Sequence, residues 1–218
     1  MITNKMLEIL IVRHGHSVAN ELGIFAGATD APLSQIGNQQ AELVSNYILQ
    51  NYTVDAIYSS ELQRAKNTVK LVSEKLNLPI ITNSSFNEIF GGKWENQTFE
   101  EIFKKYPEDL LCWRDDIANS RCTDGESFVE LCKRTVPALE AVAEKHSTGR
   151  IIIATHAGVT RAILSTLLKL SPEECAKYGW VSNASITTLT YSNNNFTIKE
   201  VSYDEYLSSL KTSLPKSI

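Results

Sequence analysis

The run Leu10-Ile11-Val12-Arg13-His14-Gly15-His16-Ser17 decides how this chain is read. Apolar residues from Ile9 to Val12 stop abruptly at an arginine, a histidine and a glycine. Short apolar runs of this kind suit a fully buried strand, although periodicity alone does not separate that from a buried helix. Gly15 lets the chain turn, and Ser17 is placed to open the next segment. Ligands of open α/β sheets bind beyond the carboxyl ends of the strands. Arg13 and His14 therefore mark the expected active site.

A second run repeats the design. Arg150 to Thr155 holds Ile151, Ile152 and Ile153, ends at His156 and is followed by Gly158. Between the two runs, Ser34 is expected to cap a helix from Gln35 to about Asn51, with an apolar stripe of Ile36, Leu43, Val44, Tyr47 and Ile48. Val54 to Tyr58 reads as a strand. Ser60 and Gln63 read as an S-x-x-Q capping box for a helix that buries Leu62, Ala65, Val69, Val72 and Leu76. Pro79 to Thr82 supplies a third strand. Thr98 with Glu101 is another capping box, and Pro107 suits the first position of a helix reaching about Ala118.

Spacing is helical from Glu126 to Lys145, where Pro137 is expected to kink or break the helix. A helix follows His156 to about Leu170, and Ser171-Pro172-Glu173-Glu174 reads as a capped helix start. Ser185 to Tyr191 and Phe196 to Ser202 flank Asn193-Asn194-Asn195 as a hairpin. Ser208 to Ile218 is polar and terminal and carries no expected element. Strands alternating with helices predict an α/β fold, a three-layer sandwich with a mostly parallel central sheet flanked by helices. The 218 residues suit one domain, 1–218, with a helical insertion at about 84–124 covering the active site.

Composition narrows the partners. A net charge of −4 and a pI near 5.6 leave no basic footprint for nucleic acid. No stretch approaches the roughly 18 apolar residues of a membrane span, and Met1 to Glu8 lacks a secretory pattern. Cys112, Cys122, Cys132 and Cys175 show no paired C-x-x-C spacing and read as free thiols of a cytoplasmic protein.

Arg64 lies one turn into the helix after the 54–58 strand, so it also belongs to the carboxyl edge of the sheet. Two arginines there form a cationic pocket, and the planar guanidinium fork suits phosphate oxygens. Backbone donors of a helix N-terminus add to it. Each residue alone has a plainer explanation: a surface ion pair for an arginine, a backbone-bonded core position for a histidine, a solvated carboxylate for Glu88. His16 reads as rim or solvent, and His146 as a favourable charge at a helix C-terminus. The combination is what points to phosphate chemistry.

Five ordered segments carry a family resemblance. Leu10 to Asn20 (LIVRHGHSVAN) resembles the RHG signature of the histidine phosphatase superfamily, the phosphoglycerate-mutase-like proteins. Asp30 to Ser34 with Gly37 and Gln40-Ala41 resembles the loop and helix start that follow. Tyr58 to Ala65 is similar to the second-arginine segment, Asn87 to Glu95 to the acidic segment, and Ala154 to Ala162 to the second-histidine segment. His16 departs from the pattern, which more often holds a carboxylate or amide after RHG.

The resemblance implies a nucleophile at His14, phosphorylated on a ring nitrogen. Arg13, Arg64 and His156 would bind the phosphoryl group with Asn20 assisting, and Glu88 would give a proton to the leaving oxygen and later take one from water. Physical demands agree. Phosphoryl transfer asks for positioning and charge stabilisation, and an attacking histidine must be neutral, its other nitrogen donating to a backbone carbonyl. No metal or cofactor is required.

The expected function is a metal-independent phosphatase of small phosphomonoesters. The alternatives are a phosphoglycerate mutase and a catalytically inactive phospholigand-binding protein. The bisphosphoglycerate-dependent mutases of this family carry a longer basic insertion, whereas Lys93, Lys104, Lys105, Arg114 and Arg121 fall in no recognisable mutase motif. Gly125-Glu126-Ser127-Phe128 is closer to the bacterial broad-specificity and α-ribazole phosphatases. Phe86, Phe90, Trp94, Phe99 and Trp113 offer the insert an apolar lining. A zinc site at His14, His16 and His156 is opposed by the arginine beside the first ligand. Strand edges leave a homodimer open.

Overall fold

Both faces of β1 (Leu7–Arg13) are apolar, and that places it in the interior of a sheet. In the computed structural model, which describes residues 6–146 and 148–212, it is followed by α1 (Val18–Glu21), β2 (Ile24–Phe25), α2 (Gln35–Asn51), β3 (Ala56–Ser59), α3 (Gln63–Leu76) and β4 (Ile80–Thr82). The middle of the chain holds β5 (Gln97–Thr98), α4 (Phe99–Lys105) and α5 (Pro107–Asp115), with short 3-10 turns at Ser84–Phe86, Gly92–Trp94 and Ile117–Asn119. Then come α6 (Phe128–Lys145), β6 (Gly149–Thr155), α7 (Ala157–Leu167), α8 (Pro172–Lys177), β7 (Ile186–Ser192), β8 (Asn195–Tyr203) and a last 3-10 segment, Glu205–Leu210.

Six strands form one sheet in the order β4-β3-β6-β1-β7-β8, while β2 and β5 pair separately. β4, β3, β6 and β1 are mutually parallel, and β7 alone runs against its neighbours. Alternate side chains of each strand enter different layers, as a two-residue period dictates. Leu10, Val12, Ile57, Ile152 and Ala154 pack with Val44 and Ile48 of α2 and Val69 and Val72 of α3. Ile9, Ile11, Ile151 and Ile153 pack on the opposite face with Leu131 and Leu139 of α6 and Val159 and Ile163 of α7. The result is the α/β three-layer sandwich with a mostly parallel central sheet.

Local signals differ from the sequence reading at a few points. Pro137 lies inside α6 and the helix continues through it. Leu131, Val136 and Leu139 are buried on one face, and their packing spans the one hydrogen bond that proline removes. Ser60 and Gln63 form no capping box: α3 begins after Leu62, and the Gln63 amide donates to Asp30 Oδ1 at 2.7 Å. Ile36 and Leu76 are exposed rather than buried. The expected 107–118 helix stops at Asp115. Of Ser208 to Ile218, residues up to 210 finish the last 3-10 segment, and 213–218 lie outside the described residues.

Candidate active site

The parallel pairing of β1 with β6 brings Arg13 level with Thr155, so the residues next in each strand, His14 and His156, emerge side by side. Their ring centroids stand 5.1 Å apart. The His14 amide donates to Thr155 O at 2.9 Å, which ties the two strand ends together. The turn after His14 then needs a backbone without side chains. A Cβ on Gly15 would lie 2.6 Å from Gly37 O, and one on Gly37 would lie 1.8 Å from His16 O. These two glycines let the loop seat against the start of α2, as no residue with a side chain would allow.

His14 Nδ1 lies 2.7 Å from Gly15 O. A carbonyl only accepts, so Nδ1 carries the proton and Nε2 carries the lone pair. Burial, with Arg64 and Arg13 alongside, holds the imidazole well below its usual range. It is therefore neutral at physiological pH.

Arg13 and Arg64 are buried, 6% and 1% exposed respectively. Arg13 bonds Val181 O through Nη1, and its Nε has no partner among the described residues. Burial lowers its pKa to about 10, against the pull of Glu88, so it stays charged at neutral pH. Arg64 donates to Gly27 O and Thr29 O, both at 2.7 Å, which anchors the loop before α2 over the cavity. Thr68 Oγ1 accepts from the Gly15 amide at 3.0 Å and donates to Arg64 O at 2.7 Å, linking α3 to the turn after His14.

Glu88 reaches the site from the irregular segment after β4. Its Oε2 accepts from the Gly158 amide at 3.2 Å and its Oε1 from its neighbour Ile89 at 3.0 Å. A Cβ on Gly158, the second residue of α7, would lie 2.4 Å from Glu88 Oε1, so the glycine lets the carboxylate sit against the helix start. Arg134 of α6 braces the segment: it donates to Ser85 O at 2.9 Å and Glu88 O at 3.1 Å while pairing with Glu126 at 2.6 Å. Glu126 also accepts from the Phe90 amide at 3.1 Å. Neither role is legible in the sequence, because a lone Arg and Glu eight positions apart give no local signal.

Asn20 stands at the cavity wall, its Oδ1 accepting from Ser17 N at 3.0 Å and Asn183 Nδ2 at 3.3 Å. His156 is fully buried. Its Nε2 lies 2.8 Å from Ser60 Oγ, and its Nδ1 has no partner among the described residues. Burial, with Arg64, His14 and Arg13, holds this ring too well below its usual range.

One cavity joins these groups except His156, which is buried beside His14 and is not among the lining residues. Arg13, His14, Asn20, Arg64 and Glu88 line one end, and Ile24, Phe25, Ile89, Phe99, Trp113 and Trp180 line the other. Of the five aromatics expected to line the insert, Phe99 and Trp113 do so. Phe86 and Trp94 are core residues, and Phe90 faces outward. Trp180, which stacks on Trp113 at 5.9 Å, lies in the irregular segment between α8 and β7, where a tryptophan carries no distinguishing spacing. His16 does not line this cavity; its Nδ1 bonds Ser34 Oγ at 3.0 Å, beside the cap of α2. His146 meets Tyr58 OH at 2.8 Å, far from the other histidines in role.

The arrangement pairs a neutral imidazole lone pair with two buried guanidinium groups and a carboxylate. That set can accept a phosphoryl group and stabilise its oxygens. Comparisons with known proteins agree. Over 184 residues the chain is 30% identical to phosphoserine phosphatase 1 of Hydrogenobacter thermophilus, covering 84% of this chain and 86% of that protein. It is also 30% identical over 193 residues to the probable phosphoglycerate mutase GpmB of Yersinia pestis, with 87% of each covered. The fold matches that of Bacillus stearothermophilus YhfR with a TM-score of 0.88 at 21% identity, over 93% of this chain and 100% of that one. A model of the histidine phosphatase superfamily (branch 1) matches residues 9–204, and the chain belongs to that family.

Proposed function

We propose that this protein is a metal-independent phosphomonoesterase that works through a phosphohistidine at His14 Nε2. The observation that carries the reading is the bond from His14 Nδ1–H to Gly15 O, which turns a neutral Nε2 lone pair toward a cation-lined cavity. In the first step Nε2 bonds to phosphorus as the ester P–O bond breaks, and Glu88 gives its proton to the leaving oxygen. In the second, water attacks phosphorus, Glu88 takes a proton from it, and the N–P bond breaks. Arg13, Arg64 and His156 hold the equatorial oxygens, with Asn20 assisting at the rim. Fixed cationic donors aimed at the developing charge do the main stabilising work.

The segment at about 84–124 is part of this proposal as an insertion covering the site, for it supplies Glu88, Ile89, Phe99 and Trp113 to the cavity. The substrate end is apolar and aromatic, which favours a small ester with a flat or hydrophobic leaving group. The four cysteines are free, in keeping with a reducing cytoplasm. A homodimer paired through an open sheet edge belongs to the same reading, and sedimentation measures it.

The mutase reading draws on the likeness to GpmB. It needs a basic group for the substrate carboxylate. Lys93, Lys104, Arg114 and Arg121 instead pair with Asp124, Glu100, Asp115 and Glu130, and Lys105 bonds Gln97. None of the five lines the cavity. The test is phosphate release in EDTA from p-nitrophenyl phosphate, α-ribazole phosphate, phosphoserine, sugar phosphates and 3-phosphoglycerate. Release of phosphate is expected, fastest from the aromatic esters. Interconversion of 2- and 3-phosphoglycerate without release would replace the phosphatase reading with the mutase one. Phosphate binding without any turnover would favour the phospholigand-binding alternative.

A further inference from the structure

Ser60 is fully buried at the end of β3, and its hydroxyl is shared among three groups. The Leu62 amide donates to it at 3.1 Å, His156 Nε2 lies at 2.8 Å, and the hydroxyl itself donates to Asn87 Oδ1 at 2.9 Å. The identity of that Asn87 atom is settled from outside. The Glu61 amide also donates to it at 2.8 Å, and a backbone N–H needs an acceptor. Asn87 Nδ2 faces a carboxylate oxygen of Glu61 at 3.1 Å, as an amino group should.

A serine hydroxyl has a single proton. Asn87 receives it, so toward His156 the Ser60 oxygen is an acceptor and Nε2 must be the protonated nitrogen. The lone pair of the neutral ring then sits on Nδ1, the buried atom without a partner. His14 is the opposite tautomer, protonated on Nδ1 and free on Nε2. Two adjacent histidines are thus locked in complementary forms by different neighbours, one by a backbone carbonyl and the other by a serine.

We propose that Ser60, oriented by Asn87, is a positioning residue that fixes His156 as a proton acceptor at Nδ1, so that the phosphoryl group binds together with one proton. This rests on the phosphatase reading, in which a phosphoryl oxygen lies against His156. A phosphate oxygen and an imidazole lone pair are both acceptors and repel unless a proton lies between them. That proton arrives with a monoanionic ester or is taken from water by His156 when a dianion binds. No covalent bond other than that to the proton changes. The groups that bias this proton are Arg13 and His14 from β1, Arg64 from α3 and Arg134 from α6, all disfavouring a charged His156 in the free protein. Glu88, held on the Gly158 amide at the start of α7, is the carboxylate of the same site.

The test joins ring 15N NMR of His156 to calorimetry of inorganic phosphate binding in buffers of different ionisation enthalpy. Without phosphate, the wild-type spectrum should show the Nε2–H tautomer. At pH 7.5 and above, phosphate should bind with uptake of about one proton, so that its Kd rises about tenfold per pH unit. Ser60→Ala frees the ring to adopt the Nδ1–H tautomer, and proton uptake should fall below half. Ser60→Thr, which keeps the hydroxyl, should restore it. Glu88→Gln should leave the uptake in place, separating His156 from the carboxylate of the cavity. An Nδ1–H tautomer in the wild type, or phosphate binding with no proton uptake, overturns the proposal. Failure of phosphate to bind would instead overturn the phosphatase reading beneath it, and the phosphate-free spectrum would still decide what Ser60 does.

Discussion

Arg13, His14, Arg64 and His156 stand on strand ends and the first turn of a helix and are at most 6% exposed, whereas Ile24, Phe99, Trp113 and Trp180 come from a two-residue strand, short helices and an irregular segment. Arg13, His14 and Arg64 form the floor of the cavity, with His156 buried beside His14 behind it, and the second group forms its roof. These residues stand at the ends of the central sheet's strands or in the first turn of α3, and carbonyls and a serine hold one side of each group while Arg13 Nε, His14 Nε2 and His156 Nδ1 are left without a partner among the described residues. The roof is held by ring-on-ring contacts, such as Phe25 edge-on to Trp94 at 5.4 Å and Trp113 against Trp180. Contacts of that kind tolerate changes in shape, while a charged floor tolerates very little. In the proposed mechanism one end of the cavity handles phosphate and the other adapts to what carries it.

The largest expected effect lies at the floor. His14→Ala should lower phosphate release by at least about a thousandfold, since it removes the atom that forms the intermediate. Thermal melting should show the variant still folded. An acid-labile phosphoprotein formed by the wild type and missing from the variant would complete the result, and near-normal turnover in the variant would break the assignment of floor to chemistry. Next comes Arg64→Lys, which keeps the charge but loses the fork that spans Gly27 O and Thr29 O. A loss of about a hundredfold in kcat/KM is expected, because lysine does not replace a two-point guanidinium contact.

Stability against pH probes the floor without any substrate. Burial keeps His14 and His156 neutral in the folded protein, below their usual values. Below about pH 6.5 the unfolded chain therefore binds more protons than the folded one, and unfolding becomes easier as pH falls. Each histidine should contribute a slope of up to about 1.4 kcal/mol per pH unit in that window. Urea titrations at pH 7 and 5.5 measure it, and replacing either histidine by alanine should flatten the slope. An unchanged slope in both variants would show that these rings titrate normally. The smallest effect belongs to the roof. Trp180→Ala should raise KM for an aryl phosphate about fivefold, in line with the loss of one stacking face, and leave KM for phosphoserine within about twofold. Equal effects on both esters would mean that the roof does not select the leaving group.

Much of the floor was legible in the chain itself. The two apolar runs ending at His14 and His156 announced buried strands, and a parallel sheet converts such runs into neighbouring strand ends. Arg64 followed from the short link between β3 and α3. The roof was legible only in part. Phe99 and Trp113 line the cavity while Phe86 and Trp94 fill the core, although all four are aromatics of one irregular segment. Phe86 and Trp94 stand in 3-10 turns and Phe99 and Trp113 on helices of 7 and 9 residues, too short for spacing to separate a ring that packs inward from one that faces a ligand. The same limit applies to Ser60. As the start of a capping box it was a reasonable reading of the pattern, but α3 begins two residues later and the hydroxyl serves Asn87 and His156 instead.

By itself, then, the sequence determined the alternation of strands and helices, the apolar period that builds two layers against a sheet, and the charged residues that terminate the strands. These are local properties, set by side-chain period and by turn chemistry within a few residues. The tertiary structure alone decided which nitrogen of His156 holds the proton, how Glu88 is seated on Gly158, and which rings close the cavity. Those outcomes depend on partners far away in the chain, 27 positions for Asn87 and Ser60, 70 for Glu88 and Gly158, and 96 for Ser60 and His156. A hydrogen bond acts over about 3 Å of space and is indifferent to separation along the chain.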